Sequence, residues 1–108
     1  MGKMSRDKGK VGEREAALLL RGHGFEARRG AQFQGGPDSP DVVHSIPNVH
    51  LEVKRCEQFN LYAAVEQARD DKRASEIPVV LHRRNHREWM AILPADDFLR
   101  IMRVLASR

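Results

Sequence analysis

The chain has 108 residues, enough for one domain and too few for a multidomain enzyme, a long repeat array or a large (β/α) barrel. Hydrophobic residues make up 41% and charged residues 31%, so a modest core must lie under a heavily charged surface. Lysine and arginine number 19 against 15 aspartates and glutamates, a formal +4 that favours an anionic partner, nucleic acid first among them. Residues 1–10 carry Lys3, Arg6, Lys8 and Lys10 without apolar periodicity and read as a flexible basic arm ahead of a domain over 11–108. A helix is expected over Gly12–Gly22. Ala16 to Leu20 favour it, Glu13 and Glu15 complement the dipole of its first turn, and Gly22 and Gly24 stop it. Phe25–Arg29 reads as a short strand and Gly30–Pro40 as a loop.

Asp41–His44 and Val49–Lys54 read as strands joined through Ile46-Pro47-Asn48, which suggests a hairpin. Alternation in the second puts Val49, Leu51 and Val53 on one face and His50, Glu52 and Lys54 on the other. Asn60 can cap a helix over Leu61–Ala74, with Leu61, Ala64, Val65 and Ala68 as its apolar stripe. Ile77–His82 reads as a buried strand, Arg83–Arg87 as a basic turn, and Glu88–Leu93 as a further strand in which Trp89, Met90 and Ile92 read as core rather than as a base-stacking platform. Pro94 opens a last helix whose stripe is Phe98, Ile101, Met102 and Leu105. The order α-β-β-β-α-β-β-α contains one β-α-β crossover with parallel strands. A single-domain α/β fold follows, a central mixed sheet flanked by helices.

The one cysteine, Cys56, rules out an intrachain disulfide and a four-cysteine zinc site. His82 and His86 stand four apart, but arginines follow the first of them where a zinc helix needs glutamate. His44 and His50 flank the expected hairpin turn and read as structural. The longest apolar run, Ala16–Leu20, is far short of a membrane span, and no secretory h-region follows the basic start, so a soluble cytoplasmic protein with no membrane partner is expected.

The anomaly is the strand carrying Glu52 and Lys54. Opposite charges at i and i+2 project from one face, about 7 Å apart at Cα, on a strand that should be central. Charge there is costly unless paired or holding a metal. Pro40-Asp41 opens the partner strand and can bring a second carboxylate to Glu52. Two carboxylates and an ammonium suit a hard divalent cation, with the lysine holding and activating water. Pro37-Asp38 competes with Pro40-Asp41, but Val42-Val43 follows Asp41 directly, whereas Ser39-Pro40 keeps Asp38 in the loop.

The pattern Pro40-Asp41, then Glu52-Val53-Lys54, resembles the signature of the PD-(D/E)XK nucleases. Lys8-Gly9, Glu13-Arg14 and Gly24-Phe25 resemble the opening of archaeal-type Holliday junction resolvases, and Glu66-Gln67-Ala68 their E-Q-A segment. The run from Glu52 to Arg55, with Asn60-Leu61-Tyr62, Gln67, Pro78-Val79-Val80 and His82–Asn85, is similar to small resolvase-like nucleases of phages and prophages. The likeness spans residues 8 to 99 and departs from the resolvases over Gly30–Pro40, where Gln32-Phe33-Gln34 replaces a serine-containing stretch.

The resemblance implies a restriction-endonuclease-like core and Mg²⁺-dependent hydrolysis of DNA phosphodiesters, with Mn²⁺ as a substitute. Asp41, Glu52 and the Val53 carbonyl would hold the ion, and Glu13 would complete the site; helical spacing leaves Glu15 open for that place. Lys54 would orient the attacking water, and Gln67 could hydrogen-bond Lys54 or a water. Lys8, Lys10, Arg14, Arg28, Arg29, Arg55, Arg83, Arg84 and Arg87 are candidate DNA contacts. The implied partners are branched DNA, a four-way junction above all, and a second copy of the chain, because symmetric cutting needs two sites. A repair- or restriction-type nuclease and a non-cutting nucleic-acid-binding module on the same fold are the alternatives.

Overall fold

The computed structural model describes residues 2–30 and 41–108, with side chains from residue 9 onward. Asp38, the rest of the Gly30–Pro40 loop beyond Gly30, and the Lys8 side chain therefore lie outside the described residues. Among the described residues, three helices and five strands follow in the expected order: α1 Gly2–Gly22, β1 Ala27–Arg29, β2 Val42–His44, β3 Val49–Arg55, α2 Leu61–Asp71, β4 Ile77–Arg83, β5 Met90–Ile92 and α3 Ala95–Ala106.

The helix α1 begins at Gly2, ten residues ahead of the expected start, so the backbone read as an arm continues the helix. Lysine, arginine and methionine are good helix formers, and a segment without an apolar stripe can still extend a helix that is anchored further along. The consequence reaches the site. Glu13 and Glu15 sit in the second half of α1, and its first turn holds no acidic residue, so the expected dipole role is withdrawn for both.

β3 and β4 pair in parallel, Glu52 opposite Val80 and Lys54 opposite His82, and β5 joins β4 antiparallel. This mixed sheet has a helix on each face. On one face Ala16, Ala17 and Leu20 of α1 bury against Leu51 and Leu81, with Val42 and Ala27 in the same core and the partly buried Trp89 packed against it. Each fully buried branched side chain contributes about 1.5–3 kcal/mol. Met90, expected in the core, is 55% exposed on the edge strand β5. On the other face Ala64 and Ala68 of α2 rest on Val80, their small side chains letting the helix approach closely. Asn60 caps α2 as expected, its Oδ1 accepting the Ala63 N–H at 3.0 Å, and the helix ends at Asp71 rather than Ala74.

The expected β2–β3 hairpin does not form. β2 spends its ladder on β1, antiparallel, with Ala27 opposite His44 and Arg29 opposite Val42. Between β2 and β3 the chain turns out of one sheet into the other. Ile46 N–H is held by His44 Nδ1 at 3.1 Å, and Asn48 takes the left-handed conformation at φ 60°.

α3 carries its expected apolar stripe, but none of its residues is buried and it has no extensive contact with any strand or helix among the described residues. Phe98, Leu99, Val104 and Leu105 are exposed. No helix among the described residues is long and apolar enough to cross a membrane.

Candidate active site

β3 sorts its groups by parity. Ile77 N–H donates to Asn48 O at 2.8 Å and Cys56 N–H to Arg83 O at 3.2 Å, so even-numbered backbone groups face β4. The N–H and C=O of one extended residue share an edge, which leaves those of Val53 on the opposite side, toward β2. There Asp41 Oδ2 accepts the Val53 N–H at 2.7 Å. Gly30 N–H donates to Asp41 O at 2.9 Å and ties the aspartate's backbone to the end of β1. The aspartate of the motif is thus docked on the backbone between Glu52 and Lys54.

The side chains of His50, Glu52 and Lys54 project from the face that α2 covers, as alternation predicts. Glu52 is 4% exposed and His50 5% exposed, and His50 Nε2 lies 3.3 Å from Glu52 Oε1. That hydrogen bond raises the His50 pKa above its ordinary 6.5, against the opposing effect of burial; the charges of Glu52, Glu76 and Asp41 add to the rise. Lys54 Nζ donates to Gln67 Oε1 at 2.8 Å, the partner expected for it. One turn further along α2, Asp71 brings a carboxylate oxygen to the His50–Glu52 pair, and the three ligand atoms lie within 4.8 Å of one another. Beside Lys54, His82 stacks on Phe59 with centroids 3.9 Å apart, and its Nε2 contacts Cys56 O at 3.0 Å.

Glu13 lies on the other side. It is 7% exposed and accepts Arg29 Nε at 2.7 Å. It shares its helix face with the buried Ala16, Ala17 and Leu20, as expected, but it is not in the group around Glu52. Glu15 accepts Arg83 Nη1 at 2.8 Å and Arg55 Nε at 3.3 Å, and Arg55 Nη2 donates to Asn85 Oδ1 at 2.8 Å. Arg29, Arg55 and Arg83 are therefore held in ion pairs, whereas Lys10, Arg14, Arg28, Arg84 and Arg87 are exposed. The close approach of α1 to β3 at this point depends on Gly12, because a Cβ there would stand 2.5 Å from Arg55 Cβ.

A divalent cation fits the donors His50, Glu52 and Asp71, whose ligand atoms lie within 4.8 Å of one another, with the Lys54 ammonium next along the strand. Asp41 is not in that group; it meets β3 at the Val53 N–H, beside Glu52. Sequence reasoning read His50 as structural and did not single out Asp71. The available signals were the alternation His50-x-Glu52 and the four-residue spacing of Gln67 and Asp71, which put each pair on one face. Neither curated proteins nor solved structures returned a match. A family model described as archaeal Holliday junction resolvase (Hjc) matches residues 4–103, nearly the whole chain and all of the motif residues. With that span of agreement, and a side-chain hydrogen bond that ties Asp41 to the Glu52-Val53-Lys54 strand, the chain belongs to the archaeal Holliday junction resolvase (Hjc) family.

Proposed function

We propose that the protein is a divalent-metal-dependent endodeoxyribonuclease that cuts branched DNA, four-way junctions first, with Mg²⁺ as its ion and Mn²⁺ able to replace it. Family membership implies a resolvase-type nuclease that binds DNA junctions and uses a divalent metal. The observation that carries the finer reading is the 2.7 Å bond from Val53 N–H to Asp41, which brings residues twelve apart in sequence to one strand position. Asp41, Glu52 and the Val53 carbonyl would hold the ion. Such an ion supplies neutralising charge at the scissile phosphate and a lower pKa for an attacking water. Lys54, aimed by Gln67, orients that water and offsets charge developing on the phosphate. Arg84 and Arg87, exposed in the turn after β4, are the cations we assign to the DNA backbone, with Lys10, Arg14 and Arg28. The ion pair with Arg29 supports Glu13 as a residue that holds β1 against α1.

Two copies are proposed to act together, one for each strand of a two-fold junction. The open face of α3 supports this. Its first turn is acidic, with Asp96 and Asp97, and its last turn carries Arg103, so antiparallel pairing about a two-fold axis sets opposite charges across the contact.

Incubation with synthetic four-way junctions, flaps and plain duplex, with Mg²⁺ and with chelator, tests the assignment. Asp41→Asn, Glu52→Gln and Lys54→Ala should each remove junction cleavage while mobility-shift binding persists. Cleavage by the Glu52 variant at the wild-type rate excludes the mechanism; preference for flaps or duplex moves the protein to the repair or restriction type. Binding without cleavage under every condition marks a non-cutting module.

A further inference from the structure

We propose that Asp71 and His50 are ligands of the ion held by Glu52, and that the imidazole makes the site bind Mn²⁺ more tightly than Mg²⁺ while still admitting Mg²⁺. The inference rests on the metal site proposed above and adds residues from outside its sequence motif. Three ligand atoms from β3 and the end of α2 lie within 4.8 Å of one another. A cation with bonds of about 2.0–2.3 Å needs its ligand atoms roughly 3 to 4.5 Å apart, so the cluster is near the required size.

Two further observations point to a cation. Asp71 is the last residue of α2, where the helix carries partial negative charge and a carboxylate is disfavoured. Its neighbour in sequence, Asp70, is exposed, whereas Asp71 is half-buried and turned toward Glu52. Among the described residues, no hydrogen bond or ion pair engages the Asp71 carboxylate. A second carboxylate has thus been brought up to an almost fully buried one, at a helix end that repels it, with only an imidazole in the group to offset the charge.

The helix approaches closely enough for this because its sheet-facing residues Ala64 and Ala68 are small. Gln67 and Asp71, one turn apart, then reach Lys54 and Glu52 in turn, so a single helix face serves both the ammonium and the carboxylate of the motif. Mg²⁺ prefers oxygen ligands and retains its waters, so an imidazole among the donors strengthens the binding of a softer divalent ion such as Mn²⁺ more than that of Mg²⁺.

The test is Mn²⁺ binding to the full chain without DNA, followed by electron paramagnetic resonance and by calorimetry, with Mg²⁺ titrated in parallel. Asp71→Asn and His50→Gln should each weaken Mn²⁺ binding by about 10-fold or more, and His50→Gln should narrow the preference for Mn²⁺ over Mg²⁺. Asp70→Asn should leave both affinities unchanged, and circular dichroism establishes that the variants fold. Wild-type Mn²⁺ affinity in folded Asp71→Asn and His50→Gln, with loss in Glu52→Gln, overturns this inference alone. An equal loss in Asp70→Asn and Asp71→Asn also overturns it, because the effect would then be general charge. Unchanged Mn²⁺ binding in Glu52→Gln removes the metal site of the proposed function as well.

Discussion

Asp41 accepts the backbone N–H of Val53 at 2.7 Å, so the aspartate of the motif is fixed to the strand that carries its glutamate and lysine. No ladder between β2 and β3 is needed for this. The side chain makes the connection that a hairpin would otherwise have made. Asp41→Asn keeps an oxygen acceptor for Val53, which is why that variant separates lost chemistry from lost fold.

Gln67 is exposed, and its described hydrogen bond is the one from Lys54. Gln67→Ala should lower the single-turnover cleavage rate roughly tenfold, the equivalent of about 1.5 kcal/mol for a hydrogen bond to a charged group. Melting temperature should stay within about a degree or two of wild type. An unchanged rate would show that Lys54 is held without it.

The basic residues divide into two classes with different expected phenotypes. Arg84→Ala with Arg87→Ala should weaken junction binding and flatten its log–log salt dependence by about 0.9 for each phosphate left without its cation. Arg83→Ala removes a partner of the half-buried Glu15 and should show as lower thermal stability instead. Mobility shifts across a salt series, beside melting curves, separate the two.

Gly12 and Gly9 lie one turn apart on α1 and should respond in opposite directions. Gly12→Ala drives a Cβ to 2.5 Å from Arg55 Cβ, an atom fixed to the β3 backbone that cannot swing aside, and should cost about 1–3 kcal/mol. Gly9 has nothing within 4 Å of the added atom, so Gly9→Ala should be neutral or gain up to about 1 kcal/mol of helix propensity. Thermal or urea denaturation reads both.

Phe98 and Leu105 share a stripe of α3, at 45% and 51% exposure. Phe98→Asp with Leu105→Asp should convert a dimer to a monomer in light scattering while far-ultraviolet dichroism changes little. A wild-type chain that is monomeric at tens of micromolar would remove α3 as the pairing surface.

Burial lowers the His44 pKa below its ordinary 6.5, outweighing a hydrogen bond with Val49 that raises it. Nδ1 must stay unprotonated to accept the Ile46 N–H. The neutral ring is thus the folded form. Its stabilising contribution is complete above about pH 6.5, the unfolded value, and is lost as pH falls toward the folded one. Proton-detected imidazole shifts should give a midpoint under the ordinary 6.5, and His44→Gln should flatten the acid limb of the stability curve.

The amino-acid sequence by itself determined the order of elements, the parallel crossover, the cap at Asn60 and the alternation that separates Val49, Leu51 and Val53 from His50, Glu52 and Lys54. These follow from local propensity and from the two-residue and 3.6-residue periods, which need no knowledge of distant partners. The placing of Glu52 and Lys54 on one face was legible from the same alternation, whereas the roles of the motif residues came from the resemblance to the resolvases, and the bond from Lys54 to Gln67 was one of two partners open to that glutamine. Three matters were decided only by tertiary structure. β2 pairs with β1 and not β3, because ladder partners are chosen by packing across the chain. Glu13 and Glu15 meet Arg29, and Arg55 with Arg83, because the packing of α1 against β1 and β3 decides which cations lie within reach of each glutamate. Asp71 reaches Glu52 because two alanines let α2 settle close to the sheet, a distance that no spacing along one strand or one helix can encode.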